Sequence, residues 1–298
     1  MATHPIAIYG APMDLGQQRR GVDMGPSAIR YANLRPRLER LGLKVRDYGN
    51  VPVPGIEQVE KDDHDPQAHN AVAVAAVADH IRQTVIGSIG RDETTLFLGG
   101  DHSVAMGTVS AALTRPGRVG VLWIDAHGDF NTPETTPSGN VHGMVVTSLM
   151  GRCPPPLVFG EKRLQADQIV MLGIRDLDSL ERVALRESGI TVMTMREIDE
   201  NGIAAVTRMA LQILGPVDAL HISFDMDSLD PTVAPGVGTR VPGGLGVREA
   251  HLLMEILCDD GRVRSLDLVE VNPILDEFNR TAELAVDLAA SLFGQRII

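Results

Sequence analysis

Aromatic residues make up only 3% of this 298-residue chain, which excludes a nucleic-acid surface built on base stacking. Basic clusters are missing as well. The 27 Lys and Arg stand against 39 Asp and Glu, a formal net charge of -12, whereas a phosphate backbone demands concentrated positive charge. The two cysteines, Cys153 and Cys258, share no CxxC spacing, which leaves neither a zinc knuckle nor a disulfide framework. No apolar run reaches the length of a membrane span. The opening residues Met1-Ala2-Thr3-His4-Pro5 carry no charged region followed by an apolar one, so no secretory signal is read there. The expectation is a reducing, cytoplasmic setting with neither a nucleic-acid nor a membrane partner.

What is present is an ordinary soluble composition, 44% hydrophobic and 22% charged, on a chain long enough for one large core. Candidate strands recur at Ile6–Tyr9, Lys44–Tyr48, Thr95–Leu98, Val119–Ile124, Gln168–Leu172, Thr191–Thr194, Leu220–Phe224 and Ser265–Val269. Most are apolar throughout, as suits strands covered on both faces. Helical patterns lie between them at Pro26–Leu41, Pro66–Ile86, Ser103–Leu113, Ser179–Ser188, Glu197–Leu214, Val247–Leu257 and Asn279–Leu292. Alternation of this kind predicts an α/β fold with a mostly parallel sheet. No linker or repeat divides the chain, so residues 1–298 are read as one domain. Two long segments break the rhythm, Asp125–His142 and Asp225–Gly246, and long irregular connections in a compact domain are usually functional.

Those two segments begin with acids. Asp125, His127 and Asp129 stand at i, i+2 and i+4 after one apolar run, and Asp225 and Asp227 repeat the spacing after another. An extended backbone would point each set to one face. His102 follows a third run, in Gly99-Gly100-Asp101-His102, and Glu270 closes a fourth. Carboxyl ends of strands are where open α/β sheets place ligands. A lone DxHxD or DxD is most often a solvated loop; the joint occurrence is what overturns that reading. Four carboxylates and two imidazoles without a thiolate favour Mn²⁺ or a similar cation over structural zinc. Six side chains suit two ions, which sit roughly 3.5–4 Å apart in paired sites. Without cations, converging carboxylates would repel one another and raise their pKa values, at ~1.4 kcal/mol per unit.

At these residues the chain resembles the ureohydrolase family, its arginase branch in particular. Gly99-Gly100-Asp101-His102-Ser103, Asp125-Ala126-His127-Gly128-Asp129-Phe130-Asn131 and Ser223-Phe224-Asp225-Met226-Asp227-Ser228-Leu229-Asp230-Pro231 are similar to that family's three metal signatures, in order. The likeness begins in Gly10–Arg30 and extends to Glu270-Val271-Asn272-Pro273. It implies a three-layer α/β/α sandwich around an eight-stranded sheet. It also implies two Mn²⁺ per subunit: one on His102, Asp125, Asp129 and Asp225, the other on Asp125, His127, Asp225 and Asp227. A homotrimer or homohexamer is the assembly it suggests.

The resemblance further implies hydrolysis of L-arginine to L-ornithine and urea by a metal-bridging hydroxide. Asp129 would accept the proton of the attacking water, and His142 is the acid or proton shuttle toward the leaving amine. Glu270 would orient the guanidinium through charge-assisted hydrogen bonds. Asn131, Ser138 and Asn140 would meet the α-carboxylate, and Asp178, supported by Asp176, the α-ammonium, with Glu181 acting through water. Pro137 departs from the threonine common in arginases. The alternative is agmatinase, or another amidinohydrolase of guanidino compounds, which shares every metal ligand; the Ser138-Gly139-Asn140 segment favours arginine. A catalytically silent relative would be expected to lack ligands, and a nucleotide-binding module is rejected for want of a GxGxxG or P-loop spacing. His221 is read as a core histidine, residues 61–65 as a solvated loop, and His69 and His80 as residues of a helix surface or interface.

Overall fold

The computed structural model of the chain describes residues 4–60, 64–158 and 160–296. Ten strands are formed among the described residues: β1 Ile6–Gly10, β2 Val45–Asn50, β3 His64–Asp65, β4 Ala68–His69, β5 Thr94–Leu98, β6 Val119–Ile124, β7 Ile169–Ile174, β8 Thr191–Thr194, β9 Ala219–Asp225 and β10 Val263–Val269. The helices are α1 Gly25–Tyr31, α2 Leu34–Glu39, α3 Ala71–Gly90, α4 Val104–Ala112, α5 Val145–Leu149, α6 Ser179–Glu187, α7 Met195–Asn201, α8 Ile203–Leu214, α9 Val247–Asp260 and α10 Arg280–Leu292. Eight strands make one sheet in the order β2-β1-β5-β10-β9-β6-β7-β8. Every pairing in it is parallel.

The inner strands read as nearly continuous apolar runs because both faces are covered, whereas the edge strands β2 and β8 are more polar and only partly buried. Successive residues serve opposite cores. Ile6, Ile8, Leu96, Leu98, Leu122 and Ile124 pack with Ile29, Leu38, Val206, Leu253 and Leu288 of α1, α2, α8, α9 and α10. Ala7, Tyr9, Phe97, Val121 and Trp123 face the other way, onto Val74, Ile81, Met106, Val109 and Val145 of α3, α4 and α5. The result is the three-layer α/β/α sandwich expected. No helix among the described residues is long and apolar enough to cross a membrane.

Three helices differ from their sequence patterns. The span 26–41 is broken at Asn33, which takes φ 65° between α1 and α2, a conformation asparagine tolerates well. The span 197–214 is broken at Gly202, φ 79°, between α7 and α8. Pro66 does not open α3; it lies in the turn of the β3–β4 hairpin, and the helix starts at Ala71. His69 is therefore on a strand, not a helix. Of residues 61–65, 61–63 lie outside the described residues, while His64 and Asp65 pair in β3.

This topology gathers the chemistry. β5, β10, β9 and β6 are neighbours at the centre of the sheet, and their carboxyl ends deliver residues 99–102, 270, 225–227 and 125–129 to one side. The loop after β1 crosses the same rim: Asp101 N donates to Met13 O at 2.8 Å, and a Cβ on Gly100 would meet that oxygen at 1.8 Å. Only glycine permits this approach. On β7's side, Arg175 ties the loop after β9 in place, donating to Asp227 O and Val241 O, both at 2.7 Å.

Candidate metal centre

Local turns, not an extended strand, bring the acids together. β6 stops at Ile124, and Asp125 Oδ1 accepts from His127 N at 2.7 Å. Asp225, the last residue of β9, makes the same turn with Asp227 N, also 2.7 Å. Asp129 adopts φ 45°, a backbone state that costs a non-glycine residue of order 1–3 kcal/mol and collects at functional sites. The expected i, i+2, i+4 face is thus corrected. Carboxylates that fold back on amides two residues on, followed by a left-handed residue, converge where a strand would have splayed them.

His102 Nδ1 lies 3.0, 3.2 and 3.1 Å from carboxylate oxygens of Asp125, Asp129 and Asp225. His127 Nδ1 lies 3.1 Å from Asp227 Oδ2 and 3.4 Å from Asp125 Oδ1. One ligand atom from each of His102, Asp125 and Asp129 falls within 4.8 Å of the others, and the same holds for Asp125, His127 and Asp227. Asp125 belongs to both groups.

The Nε2 of His102 is bonded to Ser223 Oγ at 2.9 Å, and its ring stacks on Trp123 with centroids 4.1 Å apart. Its Nδ1 is buried without a hydrogen-bond partner, although three carboxylates surround it. A buried ring nitrogen facing three carboxylate oxygens calls for positive charge between them, supplied by a proton or by a bound cation. The donor set fits divalent cations.

The electrostatics of the bare protein carry the same message. Burial pulls the imidazoles of His102 and His127 down, yet the surrounding carboxylates outweigh it and hold both well above the usual histidine range. Burial, then Asp125, pushes Asp129 up to about 6. Burial and neighbouring acids raise Asp225 well above its ordinary value and Asp227 as well. Asp125 alone is lowered: burial opposes it, but both imidazoles favour its anion. In the absence of cations, protons neutralise this charge, and cation binding must displace them.

Glu270 sits under the cleft, 2% exposed and at φ 64°. Its Oε1 accepts from His102 N and lies 2.9 Å from His142 Nδ1, while Oε2 accepts from Gln17 Nε2 at 2.9 Å. Burial raises this carboxyl, but His142, Gln17 and the His102 amide more than reverse it and keep the group ionised. His142 responds in kind. Burial lowers it, Glu270 outweighs burial, and the imidazole is raised to about 9.

Above lies a cavity of about 290 Å³ lined by His127, Asp129, Asp225 and Asp227 at one end and by Asn131, Ser138, Asn140, Asp176, Asp178 and Glu181 at the other, with His142 between. Asn131 Nδ2 donates to Asp178 Oδ2 at 2.9 Å. Glu181 braces this end, accepting from Phe130 N at 2.9 Å and Asp178 N at 3.1 Å. Burial, with Asp129 and Asp178 nearby, pushes its carboxyl up to about 7.

Residues 4–294 match the profile of the arginase family. The chain belongs to the arginase family. Within it, the arginase of Bacillus caldovelox is 45% identical over 298 residues, covering 99% of both chains. Its solved native structure aligns at TM-score 0.95, covering 99% of this chain and 100% of that one. The arginase of Bacillus subtilis (strain 168) is 46% identical over 296 residues, 98% of this chain and 99% of its own. The structure of Entamoeba histolytica arginase in complex with L-ornithine aligns at TM-score 0.90 with 29% identity, covering 98% and 99%.

In this arginase-family chain the structure brings together every site residue named from the sequence, in or directly beneath one cleft. Two neighbours were missed. Thr239 lines the cavity from the loop after β9, a segment conspicuous only for its length. Gln17 reaches Glu270 from 253 positions away, a pairing no local spacing announces. His221, by contrast, is the core histidine expected: fully buried, bonded to Ser265 Oγ at 2.8 Å and Asp267 Oδ2 at 3.1 Å.

Proposed function

We propose that this chain hydrolyses L-arginine to L-ornithine and urea with two Mn²⁺ held by His102, Asp125, His127, Asp129, Asp225 and Asp227. The observation that carries the reading is a single cleft lined by two chemically distinct sets of residues: oxygen and imidazole donors suited to cations, and neutral donors and acids suited to an amino acid head group. An amino acid with a guanidinium side chain has matching ends. Close relatives over full length named arginase support the same substrate.

A pair of divalent cations, when bound, lowers the pKa of a water toward ~7 and supplies hydroxide at neutral pH. The protein does the rest. Asp129, at the cleft wall, accepts the proton of the attacking water as the bond to the guanidinium carbon forms. Glu270 is the anion that favours a planar cation above it and keeps His142 protonated. Since His142 Nδ1 is engaged by Glu270, Nε2 is the position from which a proton passes to the departing amine. The carbon–nitrogen bond to the side chain then breaks, leaving urea and ornithine. At the far end Asn131, Ser138 and Asn140 offer donors to the α-carboxylate. Asp178, with Asp176 beside it and Glu181 bracing it, takes the α-ammonium. We further place the enzyme in the cytoplasm, as one domain over residues 1–298 that assembles into trimers or hexamers. The exposed Met209 and Ile213 on α8 are apolar surface that such contacts would cover.

The test is urea release from L-arginine and agmatine side by side, after dialysis against chelator and manganese add-back. Loss of the α-carboxylate contacts should cost agmatine at least ~100-fold in kcat/KM. Agmatine hydrolysed faster than L-arginine would overturn the substrate assignment.

A further inference from the structure

The far end of the cleft is carried by an exposed loop with little to hold it. Within residues 136–140 the bonds are local: Ser138 N and Gly139 N reach Thr136 Oγ1 at 3.3 and 3.1 Å, and Asn140 N reaches Ser138 Oγ at 3.2 Å. These are turn contacts, and they fix no position relative to the metal end. Among the described residues, both hydrogen bonds that tie this stretch to a distant part of the chain come from His69. Its backbone N donates to Gly139 O at 2.9 Å, and its Nε2 lies 3.1 Å from Ser138 O. A ring nitrogen facing a carbonyl oxygen must carry the proton, so Nε2–H is the donor there.

The surroundings show that this contact is close-packed. A Cβ on Gly139, which takes φ 71°, would meet Pro66 O at 2.2 Å and His69 Nε2 at 2.9 Å. The β3–β4 hairpin therefore lies flush on the loop. It is itself moored to the loop after β1. Asn70 Nδ2 donates to Leu15 O at 2.9 Å. The same β1 loop accepts from His142 N at Gly16 O, 3.0 Å. Metal end and substrate loop are thus referenced to one another through Leu15 and Gly16 on one side and the adjacent Asn70 and His69 on the other.

We infer that His69, which does not line the cavity, is a specificity-determining positioning residue: it clamps the Ser138-Gly139 backbone so that Ser138 and Asn140 meet an α-carboxylate. It touches no substrate. The inference rests on the arginine-hydrolysing reading above. Its consequence is selective, because a ligand with a guanidinium but no carboxylate does not use the clamped donors. Loosening the clamp weakens the hold on L-arginine and leaves agmatine untouched.

The experiment compares manganese-loaded parent, His69→Ala and His69→Gln on both substrates. For His69→Ala, KM for L-arginine is expected to rise about tenfold or more with kcat within about threefold, a loss of binding rather than of chemistry. The kcat/KM for agmatine should stay within about twofold, so the preference for arginine shrinks by the same factor of about ten. His69→Gln, which keeps a side-chain N–H donor of similar reach, should recover most of the KM, a rescue that a purely structural role does not predict. Equal losses on both substrates, or no change on either, overturn the inference while leaving the arginase reading in place. A parent that releases no urea from L-arginine overturns that reading first and the inference with it.

Discussion

Replacing Asp125 with alanine is expected to lower L-arginine turnover at least ~1000-fold, about 4 kcal/mol of lost transition-state stabilisation, and to strip the protein of both cations. Among the described residues, Asp125 belongs to both of the close donor groups. Its Oδ2 stands 3.0 Å from His102 Nδ1 and takes the Trp123 Nε1–H at 3.0 Å; its Oδ1 takes the His127 amide. Alanine therefore deletes a donor from each cation and leaves a buried indole N–H and a backbone N–H without partners. Metal content after dialysis and urea release under excess manganese are the two readouts. A variant that keeps two cations per chain, or a tenth of the parent rate, contradicts the shared-ligand assignment.

The second large effect falls on Glu270→Gln, for which kcat/KM on L-arginine should drop by ~100–1000-fold with both cations retained. The carboxylate is met by donors on both oxygens: His102 N and His142 on one, Gln17 on the other. An amide has one acceptor oxygen, so whichever way it turns, an N–H faces another N–H. Such a buried mismatch costs ~1–3 kcal/mol. The anion that keeps His142 protonated and would hold the guanidinium is lost as well. Retained metal separates this outcome from collapse of the site. A loss smaller than about tenfold would return Glu270 to a structural ion pair.

Most of the sheet was legible in the sequence because strands buried on both faces must be apolar at every position. All eight expected strands are in the main sheet, Val119–Ile124 and Thr191–Thr194 with identical bounds and the others shifted by one or two residues; the polar edge strand β2 is the one that did not read as an apolar run. The helices were less legible. Asn33 and Gly202 interrupt patterns whose periodicity continues across the break, since left-handed geometry is set by the backbone and not by the hydrophobic spacing. Pro66 looked like a helix start, yet it serves a hairpin whose partner, the Ser138-Gly139 loop, lies some 70 positions away. The ligands were legible as residue types at strand ends. Their geometry was not: the turns at Asp125 and Asp225 depend on side-chain-to-backbone bonds, and the left-handed Asp129 bends the run that an extended reading kept straight.

The central claim is that six side chains from three strand ends cage two cations on which hydrolysis depends. Elemental analysis across a manganese titration of the chelator-stripped protein, with urea release from L-arginine followed at each point, tests it most directly. The account predicts metal binding that saturates at two equivalents per chain, with turnover absent in the stripped protein and rising as the site fills. Full turnover in the stripped protein, or saturation with no metal retained at His102, Asp125, His127, Asp129, Asp225 and Asp227, would contradict it.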